Sequence, residues 1–170
     1  MTGDEELSGA DLAGRRLLRV SAAWHHGAGA DDGPPSLLHL WLHLEGLGPV
    51  LVHTPSTGLS LRAERPHGPY DMGRHGSVRV TGDPPELPVS GFVGQPVRSV
   101  RGIGYDDGRV AFPAGLALRF PGGGVRLLAL VDELLITADR RHPGPAEGGL
   151  GPVEAHLREG PGLAPAGRGD

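Results

Sequence analysis

From Leu38 to Leu44, leucine alternates with His39, Trp41 and His43. A period of two sends the leucines to one face of an extended strand and the rings to the other. Gly46-Leu47-Gly48 then reads as a turn, Val50-Leu51-Val52 as a second strand, and Leu59-Ser60-Leu61 as a third. The same order returns later in the chain. Leu116, Leu118 and Phe120 alternate with Ala117 and Arg119. Pro121-Gly122-Gly123-Gly124 makes the turn, and Val125 to Leu130 and Leu134-Leu135-Ile136 follow. Leu40, Leu42 and Leu44 align with Leu116, Leu118 and Phe120, Gly46 and Gly48 with Gly122 and Gly124, and Glu64 with Asp139. The match extends backwards: Leu12-Ala13-Gly14 resembles Phe92-Val93-Gly94, and Leu17 and Val20 align with Val97 and Val100.

Ser36 to Leu47 also fits a helix, since Leu40, Leu44 and Leu47 share a helical face. Its counterpart, Gly115 to Phe120, is too short for a helix and is stopped by Pro121, so both stretches read as strands. The pattern predicts an all-β fold of two internally duplicated antiparallel units, about four strands each, forming a sandwich or a barrel.

The organisation expected from this pattern has five parts. Residues 1–9 form a disordered acidic lead-in. Residues 10–64 are the first β unit, opening on a strand from Leu12 to Trp24 that bends near Gly14. Residues 65–91 are a linker with one short strand at Ser77–Thr81, and residues 92–139 are the second β unit. Residues 140–170 are a Gly/Pro-rich, mostly disordered tail with a short helix over 152–159, started by Pro152 and ended by Gly160. Both tails are expected to be dispensable, with Leu150, Val153 and Leu157 the side chains able to dock.

Charge and composition narrow the function. The net charge is -4 at pH 7, and no basic stripe offers itself to a phosphate backbone, which argues against nucleic acid as a partner. All basic residues are Arg, Lys and Asn are absent, and Gly, Ala and Pro are abundant, a GC-rich bacterial-type composition. Cysteine is absent, so disulfides and thiolate chemistry are excluded. No apolar run reaches the roughly 20 residues of a membrane span, and the acidic start is unlike a secretory signal. A cytoplasmic location away from the membrane is the expectation.

Nine histidines invite a metal reading. On a strand, however, His39 and His43 stand about 13 Å apart and cannot share an ion. A site assembled from His25, His53 and His75 would need distant elements to converge. Asp71 and His75 could serve Ser77 or Ser56 as orienting acid and base, but no nucleophile elbow accompanies them. Gly122-Gly123-Gly124 leads into an apolar run, not into the helix that a phosphate cradle requires. No cofactor, metal or catalytic residue is therefore assigned.

What stands out is an imbalance between the units. Both Trp and seven of the nine His fall before residue 76. Trp41 and His43 align with Ala117 and Arg119, and His53 with a plain apolar run. Trp24, His25, Trp41, His53, Tyr70, Asp71 and His75 are accordingly the expected ligand-binding residues, with the linker from Pro66 to His75 folding over the first unit. Asp71 beside an imidazole would raise the ring's pKa. The leading reading is a small non-enzymatic binding or regulatory module for a protein or small-molecule partner. The alternatives are a metal-dependent or His/Asp enzyme near His53, Asp71 and His75, and a structural or assembly subunit pairing through sheet edges.

Overall fold

The computed structural model describes residues 5–55, 58–130, 133–139 and 155–160. Strands make up 56% and helices 10%, so the fold is mostly β, in two antiparallel sheets. In chain order the strands are β1 (Glu6–Leu7), β2 (Leu17–His26), β3 (Ser36–Leu44), β4 (Gly48–His53), β5 (Ser60–Ala63), β6 (Tyr70–Asp71), β7 (Ser77–Gly82), β8 (Ser99–Asp106), β9 (Ala111–Phe120), β10 (Gly123–Leu130), β11 (Glu133–Ala138) and β12 (Leu157–Gly160). A single-turn helix, α1, spans Gly9–Leu12, and short 3-10 turns span Gly73–His75 and Pro88–Phe92.

The seven-stranded sheet runs β1-β5-β4-β3-β2-β7-β6 and the five-stranded sheet β11-β10-β9-β8-β12. Neither closes on itself. Each contains a consecutive meander, β2 to β5 in one and β8 to β11 in the other. Residues 36–44 are a strand, and the predicted alternation holds from Leu40 to Leu44; at a register shift beside Ala23 and Trp24 it breaks, so that Leu37 packs on the main core and Leu38 on the opposite face. Leu40, Leu42 and Leu44 are buried, and so are Leu116, Leu118 and Phe120. All six belong to one apolar cluster, to which β4, β5, β10 and β11 also contribute.

The segments ahead of the two meanders meet in a reciprocal set of hydrogen bonds. Gly14 N–H donates to Val97 O at 2.7 Å and Gly94 N–H to Leu17 O at 2.7 Å. Leu17 N–H donates to Gln95 O at 2.9 Å and Val97 N–H to Arg15 O at 2.8 Å. Arg16 and Pro96 face each other at the centre. Gly14 (φ 82°) and Gly94 (φ 92°) both take left-handed backbone that side chains disfavour. At the far end of each meander Glu64 N–H reaches Pro49 O at 3.2 Å, and Asp139 N–H reaches Gly124 O at 2.9 Å.

Four expectations are corrected. The first strand does not begin at Leu12: that residue ends α1, and β2 starts at Leu17. The linker carries β6 as well as the expected strand, here β7. The acidic lead-in is ordered over its described part, where Glu6 and Leu7 pair with Arg62 and Leu61; residues 1–4 lie outside the described residues. In the tail, Leu157–Gly160 is a strand on β8, not part of a helix. An isolated short helix leaves its end groups unsatisfied and costs a nucleation penalty. The edge of β8 instead supplies hydrogen-bond partners and a place to bury Leu157. Leu150, Val153 and the rest of 140–154 and 161–170 lie outside the described residues.

β12 is further tied by Glu159, which accepts from Arg119 Nη2 at 3.0 and 3.1 Å; Arg119 also pairs with Asp139. The tail therefore contributes to stability. A chain ending at residue 139 is expected to lose about 1–3 kcal/mol, the scale of burying one leucine, with a matching fall in thermal midpoint. An unchanged midpoint would mean that β12 adds nothing.

Candidate functional site

The register of β3 and β4 decides what the outer face of the seven-stranded sheet presents. Leu40 pairs with Val52 and Trp41 with Leu51, so the inward leucines leave His39, Trp41 and His43 facing outward, with Leu51 beside Trp41. Ala23, Trp41, Leu51 and Val78 form a second apolar cluster there, with Leu38 and Val80 packed against it. Trp41 is fully buried although it faces away from the main core.

The linker helps to cover it. The ring of His67 stands 5.1 Å from that of Trp41 and 5.3 Å from that of His39, both edge-on, and Tyr70 lies 5.5 Å beyond. His39 Nδ1 and His67 Nε2 are 3.0 Å apart. The direction of that bond follows from the other nitrogen. His67 Nδ1 is 2.9 Å from Gly68 O, and a carbonyl only accepts, so Nδ1 carries the proton. In a neutral ring Nε2 is then the acceptor, and His39 Nδ1–H is the donor. Burial opposes a charge on His39.

Electrostatics point the same way. Burial first, then His67 and His53, hold His39 below its ordinary value of 6.5, with Glu64 opposing. His53 is lowered by burial and by Arg62, again against Glu64. His43, whose Nε2 is 2.9 Å from Ser21 Oγ, is lowered by burial and Arg19, with Asp83 opposing. Two buried polar atoms in this region have no partner among the described residues: the indole Nε1–H of Trp41 and Nε2 of His53. A buried donor without an acceptor costs about 1–3 kcal/mol, so the site is one hydrogen bond short on the tryptophan.

Compared with known proteins, the chain matches no family model, no curated protein and no solved structure.

The seven expected site residues fall into separate groups. Trp41 and Tyr70 meet, through His67. His53 ends β4 and influences the outer-face ring of His39. His25 and His75 meet elsewhere: His25 Nε2 lies 2.6 Å from His75 O, and Arg74 Nε lies 3.3 Å from His75 Nε2. With Gly27, Asp32 and Pro34 these residues line an open hollow of about 320 Å³. Trp24 belongs to neither group. Its indole donates to Thr81 Oγ1 at 3.0 Å, and its ring packs on the main core.

Asp71 closes a tight turn, accepting from Gly73 N–H at 2.7 Å. No group of three or more His, Cys, Asp or Glu suited to a metal occurs among the described residues. The residue that sequence reasoning missed is His67. It stands in Pro66-His67-Gly68-Pro69, and its rigid setting was the available signal. Among the described residues no helix is long and apolar enough to cross a membrane.

Proposed function

We propose that this chain is a non-enzymatic binding module whose protein or small-molecule partner is met at the His39–Trp41–His67–Tyr70 cluster. The observation that carries the reading is the unpaired Nε1–H of buried Trp41, covered in part by a linker imidazole instead of by core. An incoming carbonyl or carboxylate that displaced His67 would recover the missing hydrogen bond, while Tyr70, 46% exposed, and Met72, 39% exposed, offer apolar contact beside it. The proposal includes the cytoplasm as the site of action, supported by the absence of cysteine.

The proposal extends to the scaffold: two duplicated four-stranded units facing each other as a sandwich. Support comes from the matching strand orders β5-β4-β3-β2 and β11-β10-β9-β8 and from the reciprocal bonds about Arg16 and Pro96. The single cluster drawing on both meanders agrees.

Because burial disfavours a charge on His39, His43 and His53, the first unit is expected to lose stability in acid. The sign follows from the lowered pKa values of His39, His43 and His53. The unfolded chain takes up protons near pH 6.5 and the folded chain only lower, so stability is full above about 6.5 and falls as pH drops from there through the folded values. Thermal midpoints from pH 8 to pH 5 should decline below 6.5, and less steeply in His39→Gln/His53→Gln. An equal decline in that variant would remove these rings as the cause.

The binding reading is tested with a photo-crosslinking side chain at Met72, two residues past Tyr70 and 39% exposed. Products recovered with the wild-type background should be lost on Tyr70→Ala or His67→Ala and kept on Val110→Ser, which alters an exposed apolar residue on β9's approach. Equal recovery from all backgrounds would sink it.

A further inference from the structure

The two meanders end differently. β5 occupies the place in the seven-stranded sheet that β11 occupies in the other, three strands from β2 and β8 respectively. β5 accepts β1, antiparallel, through Glu6–Arg62 and Leu7–Leu61. β11 accepts no strand on its outer edge among the described residues. It is six residues long, Glu133-Leu134-Leu135-Ile136-Thr137-Ala138, with three aliphatic residues in a row and none of the lysines or prolines that usually blunt an edge. The other end strands are shorter: β1 and β6 have two residues each and β12 has four.

We propose that the edge of β11 pairs with the same edge of a second copy of this chain, antiparallel about a two-fold axis at Leu135, joining two five-stranded sheets into one of ten strands. The occupant is a second copy because the strand is self-complementary in that register. Leu134 and Ile136 pack on the main core, and Leu135 packs on the other face of the five-stranded sheet, in a separate apolar cluster with Ile103, Ala117 and Leu128, its partner on β10. Directly opposed residues share a face. A two-fold perpendicular to the sheet therefore pairs Leu135 with Leu135 on the outer face, Leu134 with Ile136 on the inner face, and Glu133 with Thr137. Every leucine and the isoleucine meet an aliphatic partner, and no like charges oppose. The neighbouring register, centred on Ile136, would set Glu133 against Asp139 of the other copy, a like-charge pair that disfavours it. The backbone groups on this edge gain partners in the same step, as those of β5 do from β1.

The full chain contains no cysteine, so a single introduced thiol reports the register. Under mild oxidation Leu135→Cys is expected to give a disulfide-linked dimer. Thr137→Cys is not, because its two copies stand about 14 Å apart at 3.4 Å per residue, beyond disulfide reach. Sedimentation of the wild type should show a concentration-dependent dimer. Leu135→Glu and Leu135→Lys should each weaken it by about 100-fold or more through like charge at the axis, and an equimolar mixture of the two should restore it. That rescue could not follow from misfolding. A wild type that stays monomeric from micromolar to millimolar concentration overturns the proposal, as does cross-linking through Thr137→Cys as efficient as through Leu135→Cys.

Discussion

Leu42→Ala and Leu118→Ala are each expected to lower the free energy of unfolding by about 2–5 kcal/mol, the range for truncating a leucine in a packed interior. Leu42 is 1% exposed and Leu118 is fully buried. They stand on β3 and β9, one in each sheet, yet belong to the same cluster. Truncation removes the transfer energy of the lost atoms and leaves a cavity that strands held by hydrogen bonds on both sides cannot collapse to fill. Val20 and Val50 flank Leu42 in the cluster, and Val125 pairs directly with Leu118. The measurement is denaturant unfolding with the slope monitored alongside the midpoint. A loss under about 1 kcal/mol at Leu42 would contradict its burial. Because the cluster draws on both sheets, each variant should still unfold in one transition; two separated transitions would mean that the sheets hold together independently.

Trp41→Ala is expected to cost about 3–5 kcal/mol, the range for removing a buried aromatic ring, and to release the linker, because His67 packs edge-on against that ring. Trp41→Phe separates packing from binding. It keeps an aromatic ring under His67 and removes a buried N–H that has no acceptor; burying that N–H itself costs about 1–3 kcal/mol. Its loss of stability should therefore be well below that of alanine. Under the binding proposal, a partner that supplies an acceptor to Nε1 loses that bond in Trp41→Phe while the fold is kept. The readout is a pair of numbers, unfolding free energy and retention of the Met72 cross-link. If phenylalanine destabilises as much as alanine, the indole N–H has a role inside the fold and the unpaired-donor argument fails. If stability and cross-linking are both untouched, the partner is not met through Trp41.

Much of the strand pattern was legible from residue order alone. Period-two alternation is a local property, so Leu40, Leu42 and Leu44 announced both a strand and its buried face without knowledge of any neighbour. Leu116, Leu118 and Phe120 did the same. Glycine at 14, 46, 48 and 94 marked positive-φ positions that side chains resist. The absence of cysteine excluded disulfides outright.

What the sequence left open depends on pairs far apart in the chain. Nothing near His67 says that it will stop 3.0 Å from His39. That contact is set by where the chain returns after β5, a non-local outcome. Asp71 pairs with its own turn instead of a histidine, because a short acidic side chain two residues before Gly73 reaches that backbone N–H locally. Trp24 and Trp41 both lack an equivalent in the second unit, but they do not share a face. The alternation along β2 holds, with Val20, Ala22 and Trp24 all packed on the main core, so Trp24 stands on the face opposite Trp41 and its indole bonds to Thr81. Leu157–Gly160 carries no decisive strand signal of its own. It is a strand because β8 has an edge to give it, and only the tertiary structure creates that edge.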